Sequence, residues 1–153
     1  MNALTRILGL IAALGLAACT EPPSPPSRQP PGPDHGYVTL FFHFDSAELT
    51  PQSTRALNHI VDVWNSFNDN QKIDIEAHAD RAGLTAANKT ISEKRGQIIK
   101  EYLLSKGVSE DRISMSACGD TKPLVITAPG VREPQNRRAV TAIIPANSRI
   151  ARC

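Results

Sequence analysis

Charge of one sign is what this sequence lacks most plainly. Its 153 residues carry 17 Lys and Arg against 15 Asp and Glu, a formal net charge of +2. No basic stripe is interleaved with aromatics, so the chain offers no field for a nucleic acid. Cysteine is limited to Cys19, Cys118 and Cys153, too few for a disulfide framework. Aromatic residues make up only 5%. No internal repeat is visible, and the one long apolar run, residues 7–18, falls short of the roughly 20 residues that a bilayer span needs. No serine or cysteine stands in a recognisable nucleophile motif, and Cys118-Gly119 has no base near it in sequence. The chain therefore reads as a non-enzyme without a cofactor.

What is present is organised around residues 72–95. Ile73, Ile75 and Ala77 alternate with Asp74, Glu76 and His78, the period of a strand, and Asp80 falls on the His78 face where the chain leaves the sheet. A glycine-bearing turn follows, and then a helix in which Asn88, Ser92 and Arg95 share one stripe at i, i+4 and i+7. Asp80 and Arg95 would thus flank one small site. An acid beside a permanent cation suits a zwitterion, the carboxylate taking the ammonium and the planar guanidinium the ligand's carboxylate. The bland alternative is a structural ion pair between Asp80 and Arg95, since structural networks mimic sites.

The run His78-Ala79-Asp80, with Gly83, Asn88, Ile91-Ser92 and Lys94-Arg95, resembles the peptidoglycan-binding domain of the OmpA-like family. Phe44-Asp45-Ser46-Ala47 with Leu49, Gly107-Val108, Arg112-Ile113, Gly119 with Pro123, and Asn136-Arg137-Arg138 follow in the family's order over residues 37–145. Within it the chain is similar to the subgroup of peptidoglycan-associated lipoproteins. The resemblance implies recognition of the diaminopimelate of the peptidoglycan stem peptide, with Arg95 on its carboxylate and Asp80 on its amine. Asp45 and Asn88 would be further contacts, and Asn136 and Arg137 would shape the rim. Ala77 stands where the family has glycine, Ala79 where it has threonine and Gly96 where it has alanine. The first two are expected beside the site, where they would weaken it. The subgroup also implies a second job, docking a periplasmic protein such as the Tol system.

Residues 1–18, with Arg6 ahead of the apolar run, read as a cleavable targeting segment. Leu16-Ala17-Ala18-Cys19 resembles the bacterial lipoprotein signal, in which cysteine becomes the lipidated N-terminus. By the same analogy, Thr20 in place of an aspartate points to the outer membrane. An acyl chain contributes about 0.8 kcal/mol per buried CH₂, so such a group anchors firmly. Residues 19–36 hold seven prolines between Pro22 and Pro33. They form neither helix nor ladder and read as an extended tether of roughly 50 Å at full reach.

Residues 37–146 are then a single small domain, with a tail at 147–153. Strands are expected at 37–44, 72–78, 112–118 and 138–144. A helix opened by Thr50-Pro51 carries Leu57, Ile60, Val61 and Trp64 inward, and a second, capped by Thr85, carries Ile91, Ile98, Tyr102 and Leu103 and stops at Gly107. Residues 121–135 form a long loop. The order β-α-β-α-β-β implies an α/β (α+β sandwich) fold, two main helices on one face of a mixed four-stranded sheet.

Two points stay open. His43-x-Asp45 and His78-x-Asp80 each place an imidazole and a carboxylate on one strand face, and four ligands for a divalent metal would gather if those strands adjoined. Cys118 and Cys153 either form a disulfide or remain a buried thiol and a terminal one.

Overall fold

The computed structural model describes residues 36–67, 70–148 and 153. The expected targeting segment, Cys19 and all but the last residue of the tether lie outside the described residues. Six elements follow in the expected order: β1 (Tyr37–Phe41), α1 (Pro51–Trp64), β2 (Gln71–His78), α2 (Thr85–Ser105), β3 (Ile113–Gly119) and β4 (Arg138–Pro145). Short 3-10 turns at Glu110–Arg112 and Pro134–Asn136 precede β3 and β4. The fold is a two-layer α/β arrangement, with two helices on a mixed four-stranded sheet.

Helix α1 begins where its sequence says it must. Thr50 stands in extended conformation with its hydroxyl accepting from the Ser53 amide, and Pro51 opens the first turn, where its missing N–H costs nothing. Leu57, Ile60 and Val61 are buried, and Trp64 packs against the core as expected. Helix α2 departs from expectation in two ways. Its N-cap is Leu84 with no side-chain cap bond, so Thr85 is the first helical residue and caps nothing. Its inward stripe is Asn88, Ser92, Arg95, Gly96, Ile99 and Leu103. Ile91, Ile98 and Tyr102 are only partly buried. The stripe is half polar because its first two turns serve the site and only the last two serve the core.

Strand order is β1-β4-β2-β3. β4 runs antiparallel to both β1 and β2, so β1 and β2 point the same way without touching, and β3 is parallel to β2 through the α2 crossover. The ends of β1, β2 and β3 and the beginning of β4 therefore meet at one edge of the sheet. Ile73, Ile75, Ala77, Leu40, Ala139 and Ile143 face the helices and form the core with α1 and α2. Near the shared edge the register sets Ala77 between Ala139 and Ala117. A Cβ on Gly96 would lie 2.6 Å from Met115 Sδ and 3.7 Å from the Ala77 Cβ. Small residues on both layers thus bring α2 down onto the sheet there, and Arg95 is delivered to the end of β2.

A candidate zwitterion cleft at the shared strand edge

Arg95 is 1% exposed and lies between the loop after β1 and the end of β2. Its Nε donates to the Ser46 carbonyl at 2.9 Å, Nη1 to the His78 carbonyl at 2.9 Å and Nη2 to the His43 carbonyl at 3.2 Å, while the Phe42 ring lies 5.0 Å below the guanidinium. Three of its five N–H groups are so assigned. Burial is the main influence on its pKa, lowering it to about 10; Asp80 and Asp45 pull it back up and Arg137 pushes it down. The group is still cationic at neutral pH.

Asp80 does not pair with Arg95. Its Oδ2 accepts from Arg137 Nη1 at 3.0 Å and from the Glu133 amide at 3.2 Å. Arg137 takes this place because it immediately precedes β4, the strand between β1 and β2, and its Nε also donates to the Phe42 carbonyl. Asn88 Nδ2 donates to the Gly83 carbonyl at 3.1 Å and so fixes the turn that leads into α2. Asp45 has a φ of +51°, a left-handed conformation that aspartate tolerates better than most residues.

These groups enclose a cleft of about 80 Å³ whose wall includes Phe44, Asp45, Asp80, Asn88, Arg95 and Arg137. Five of the six expected ligand-binding residues thus share one opening. The sixth does not: Asn136 is wholly buried, its Oδ1 accepting from the amides of Leu124 and Val125 and its Nδ2 donating to the Val125 carbonyl. It shapes the loop behind the rim. Of the two departures expected beside the site, only Ala79 lines the cleft; Ala77 points into the core. The strand expected over 37–44 ends early, at Phe41, and the turn that follows leaves Phe44 45% exposed. There the Arg132 guanidinium stacks 3.9 Å from its ring centre. No periodic pattern in the loop carrying Arg132 signals that contact.

A family model of the OmpA family matches residues 41–137. The chain belongs to the OmpA family. This OmpA-family domain is 31% identical over 102 residues to a peptidoglycan-associated lipoprotein of Pseudomonas aeruginosa, covering 66% of this chain and 59% of that protein. It is 34% identical over 105 residues to a protein of the same name from Buchnera aphidicola, covering 67% and 58% respectively. The match thus spans less than two thirds of either relative. The crystal structure of the peptidoglycan-associated lipoprotein from Burkholderia pseudomallei superposes with a TM-score of 0.63 at 24% identity, covering 69% of this chain and 89% of that one. That likeness establishes the fold.

The metal arrangement considered from sequence is not formed. β4 separates β1 from β2, and both His43 and His78 turn their backbone carbonyls to Arg95. The His78 ring lies elsewhere, 2% exposed on the outer face of the sheet, where burial foremost, then Arg138 and Lys122, lower its pKa from 6.5 to about 3. Cys118 and Cys153 are bridged, with Cα atoms 5.3 Å apart.

Proposed function

We propose that this protein is an outer-membrane lipoprotein, lipidated at Cys19, whose periplasmic domain binds peptidoglycan non-covalently through the diaminopimelate of the stem peptide. It would fasten the membrane to the wall by binding alone, without turnover. The observation that carries this reading is the lining of the cleft: two acids, Asp45 and Asp80, and two cations, Arg95 and Arg137, around one opening. Such a wall is neutral as a whole and polarised within, the complement of a carbon bearing both an ammonium and a carboxylate. A volume near 80 Å³ corresponds to roughly two or three waters, about the room such a head group fills. Arg95 offers the carboxylate its two remaining N–H groups, and Asp80 and Asp45 accept from the ammonium. Arg137, bonded to Asp80 Oδ2 at 3.0 Å, holds that carboxylate in position. The named relatives support the same choice of polymer.

Co-sedimentation with insoluble peptidoglycan tests the proposal. Wild-type chain is expected in the pellet and Asp80→Asn in the supernatant. Free diaminopimelate should release the bound protein, whereas cadaverine, which keeps both amines and lacks the carboxylates, should not. Release by both, or wild type that stays in solution, would overturn the reading. Docking of a Tol-type partner then becomes the leading alternative, and Asp80→Asn would leave a contact on another face intact.

A further inference from the structure

The outer face of the sheet carries a second group of ligating side chains that the cleft does not use. Glu76 and His78 project from β2, and Cys118, the extra residue where the β2–β3 register shifts, meets them from β3. His78 Nε2 lies 3.7 Å from Glu76 Oε1, and Cys118 Sγ lies 3.3 Å from the same oxygen. One ligand atom from each of the three falls within 4.8 Å of the others. A bridged sulfur has no hydrogen to donate, so the Cys118–Glu76 approach is a contact without a proton in it. Bonds of about 2.0–2.3 Å at tetrahedral angles set ligand atoms roughly 3.3–3.8 Å apart, the spacing of His78 and Cys118 from Glu76 Oε1. His78 Nδ1 is buried without a partner, so no hydrogen bond at that nitrogen holds the ring in another orientation.

We propose that Glu76, His78, Cys118 and Cys153 form a thiol-gated site for a divalent cation of the zinc type, closed while the cysteines are bridged and open once they are reduced. The opening step balances with a dithiol as reductant. It gives two electrons and two protons to the bridge, the S–S bond breaks, two thiols form, and the reductant leaves as its own disulfide. The cation then displaces both thiol protons to solvent and takes two thiolates, one imidazole and one carboxylate. Three anionic ligands on a divalent ion leave one negative charge. Lys122, its amine 3.2 Å from Glu76 Oε1 and its side chain 40% exposed, stands where it neutralises that charge from outside the ligand set.

The test uses the full chain in detergent, with Cys19→Ser so that only two thiols can form. Reduced with a phosphine that is then removed, it is titrated with Zn²⁺ against a chromogenic chelator, beside the bridged chain. One zinc per reduced chain is expected, with binding weaker by more than about tenfold in the bridged chain and in reduced Glu76→Gln or His78→Gln, as even outer partners of a metal are worth that much. Co²⁺ should give tetrahedral visible bands and thiolate charge-transfer absorption in the reduced wild type alone. Equal affinity in bridged and reduced chains, indifference to both substitutions, or cobalt without thiolate absorption would each overturn the proposal. The cobalt spectrum of the reduced wild type decides the matter even where a substitution disturbs folding.

Discussion

Gly119 shows how much one residue can hold in place at the strand edge. Its φ is +55°, its amide donates to Ser92 Oγ at 3.0 Å, and its carbonyl accepts from the Ala79 amide at 2.8 Å, one residue from Asp80. A Cβ there would sit 3.2 Å from Lys89 N and 3.4 Å from Lys89 Cα, backbone atoms that cannot turn aside. Gly107 has a φ of +88° with nothing within 4 Å. Gly119→Ala should therefore cost about 2–3 kcal/mol in urea unfolding and Gly107→Ala only about 1 kcal/mol, the left-handed penalty alone. Equal losses would mean that the Lys89 approach has no energetic weight. His78 gives a residue-scale test in pH. In the bridged, metal-free chain its pKa falls from 6.5 unfolded to about 3 folded, so between those values the unfolded chain binds the proton and the native one does not. Stability present above about pH 6.5 is lost as pH falls through this window. His78→Gln should flatten the decline of the urea midpoint between pH 6.5 and 3; an unchanged slope would assign it to other groups. At this scale the sequence revealed which residues meet but not who pairs with whom. Asp80 and Arg95 reach one cleft as their spacing implies, yet Asp80 is held by Arg137, 57 residues away in sequence, a choice made by strand order and invisible to local periodicity.

The elements were legible to the extent that their periods were pure. α1 has a single apolar stripe and a capped start, and both were readable. α2 mixes a polar half-stripe for the cleft with an apolar one for the core, so an apolar count overlooked Ile99 and promoted Ile91 and Ile98. Strand order could not be read at all: nothing in 138–144 says that β4 inserts between β1 and β2, and it is this insertion that separates His43 from His78. The same insertion gives Arg95 its structural work, tying the loop after β1 to the end of β2 across a gap that no backbone ladder closes. Arg95→Met should leave three carbonyls without this donor. At roughly 1–3 kcal/mol per buried unsatisfied group, a loss of at least about 3 kcal/mol is expected, with hydrogen exchange accelerating in residues 43–46 before it does in α1. Asp80→Asn keeps the size and the acceptor and should cost less than about 1.5 kcal/mol. If Arg95→Met unfolds no more easily than Asp80→Asn, the three carbonyl bonds are not what holds the loop. The contrast also explains why Asp80, rather than Arg95, is the cleaner probe of ligand binding.

Across the whole molecule, the Cys118–Cys153 bridge joins the strand edge to the end of the chain, over a sequence separation of 35 residues. Cys118 belongs to β3, one residue before Gly119, whose carbonyl is bonded by Ala79. Cys153 is thus fastened next to the strand that positions Asp80, on the face of the sheet opposite the helices. Closing a loop of this size restricts the unfolded chain, and the entropy model gives about 3–4 kcal/mol for it. Cys153→Ser, kept in chelator so that no metal substitutes for the bridge, should lower the unfolding free energy by about 2–4 kcal/mol with its main effect on the unfolded ensemble. Two further signs follow from that mechanism. The denaturant slope should rise, because an unbridged unfolded chain exposes more surface, and co-sedimentation with peptidoglycan under native conditions should be unchanged, because neither cysteine lines the cleft. A variant that kept its stability but lost sedimentation would mean that the bridge acts on the native strand edge and sets the position of Asp80 directly.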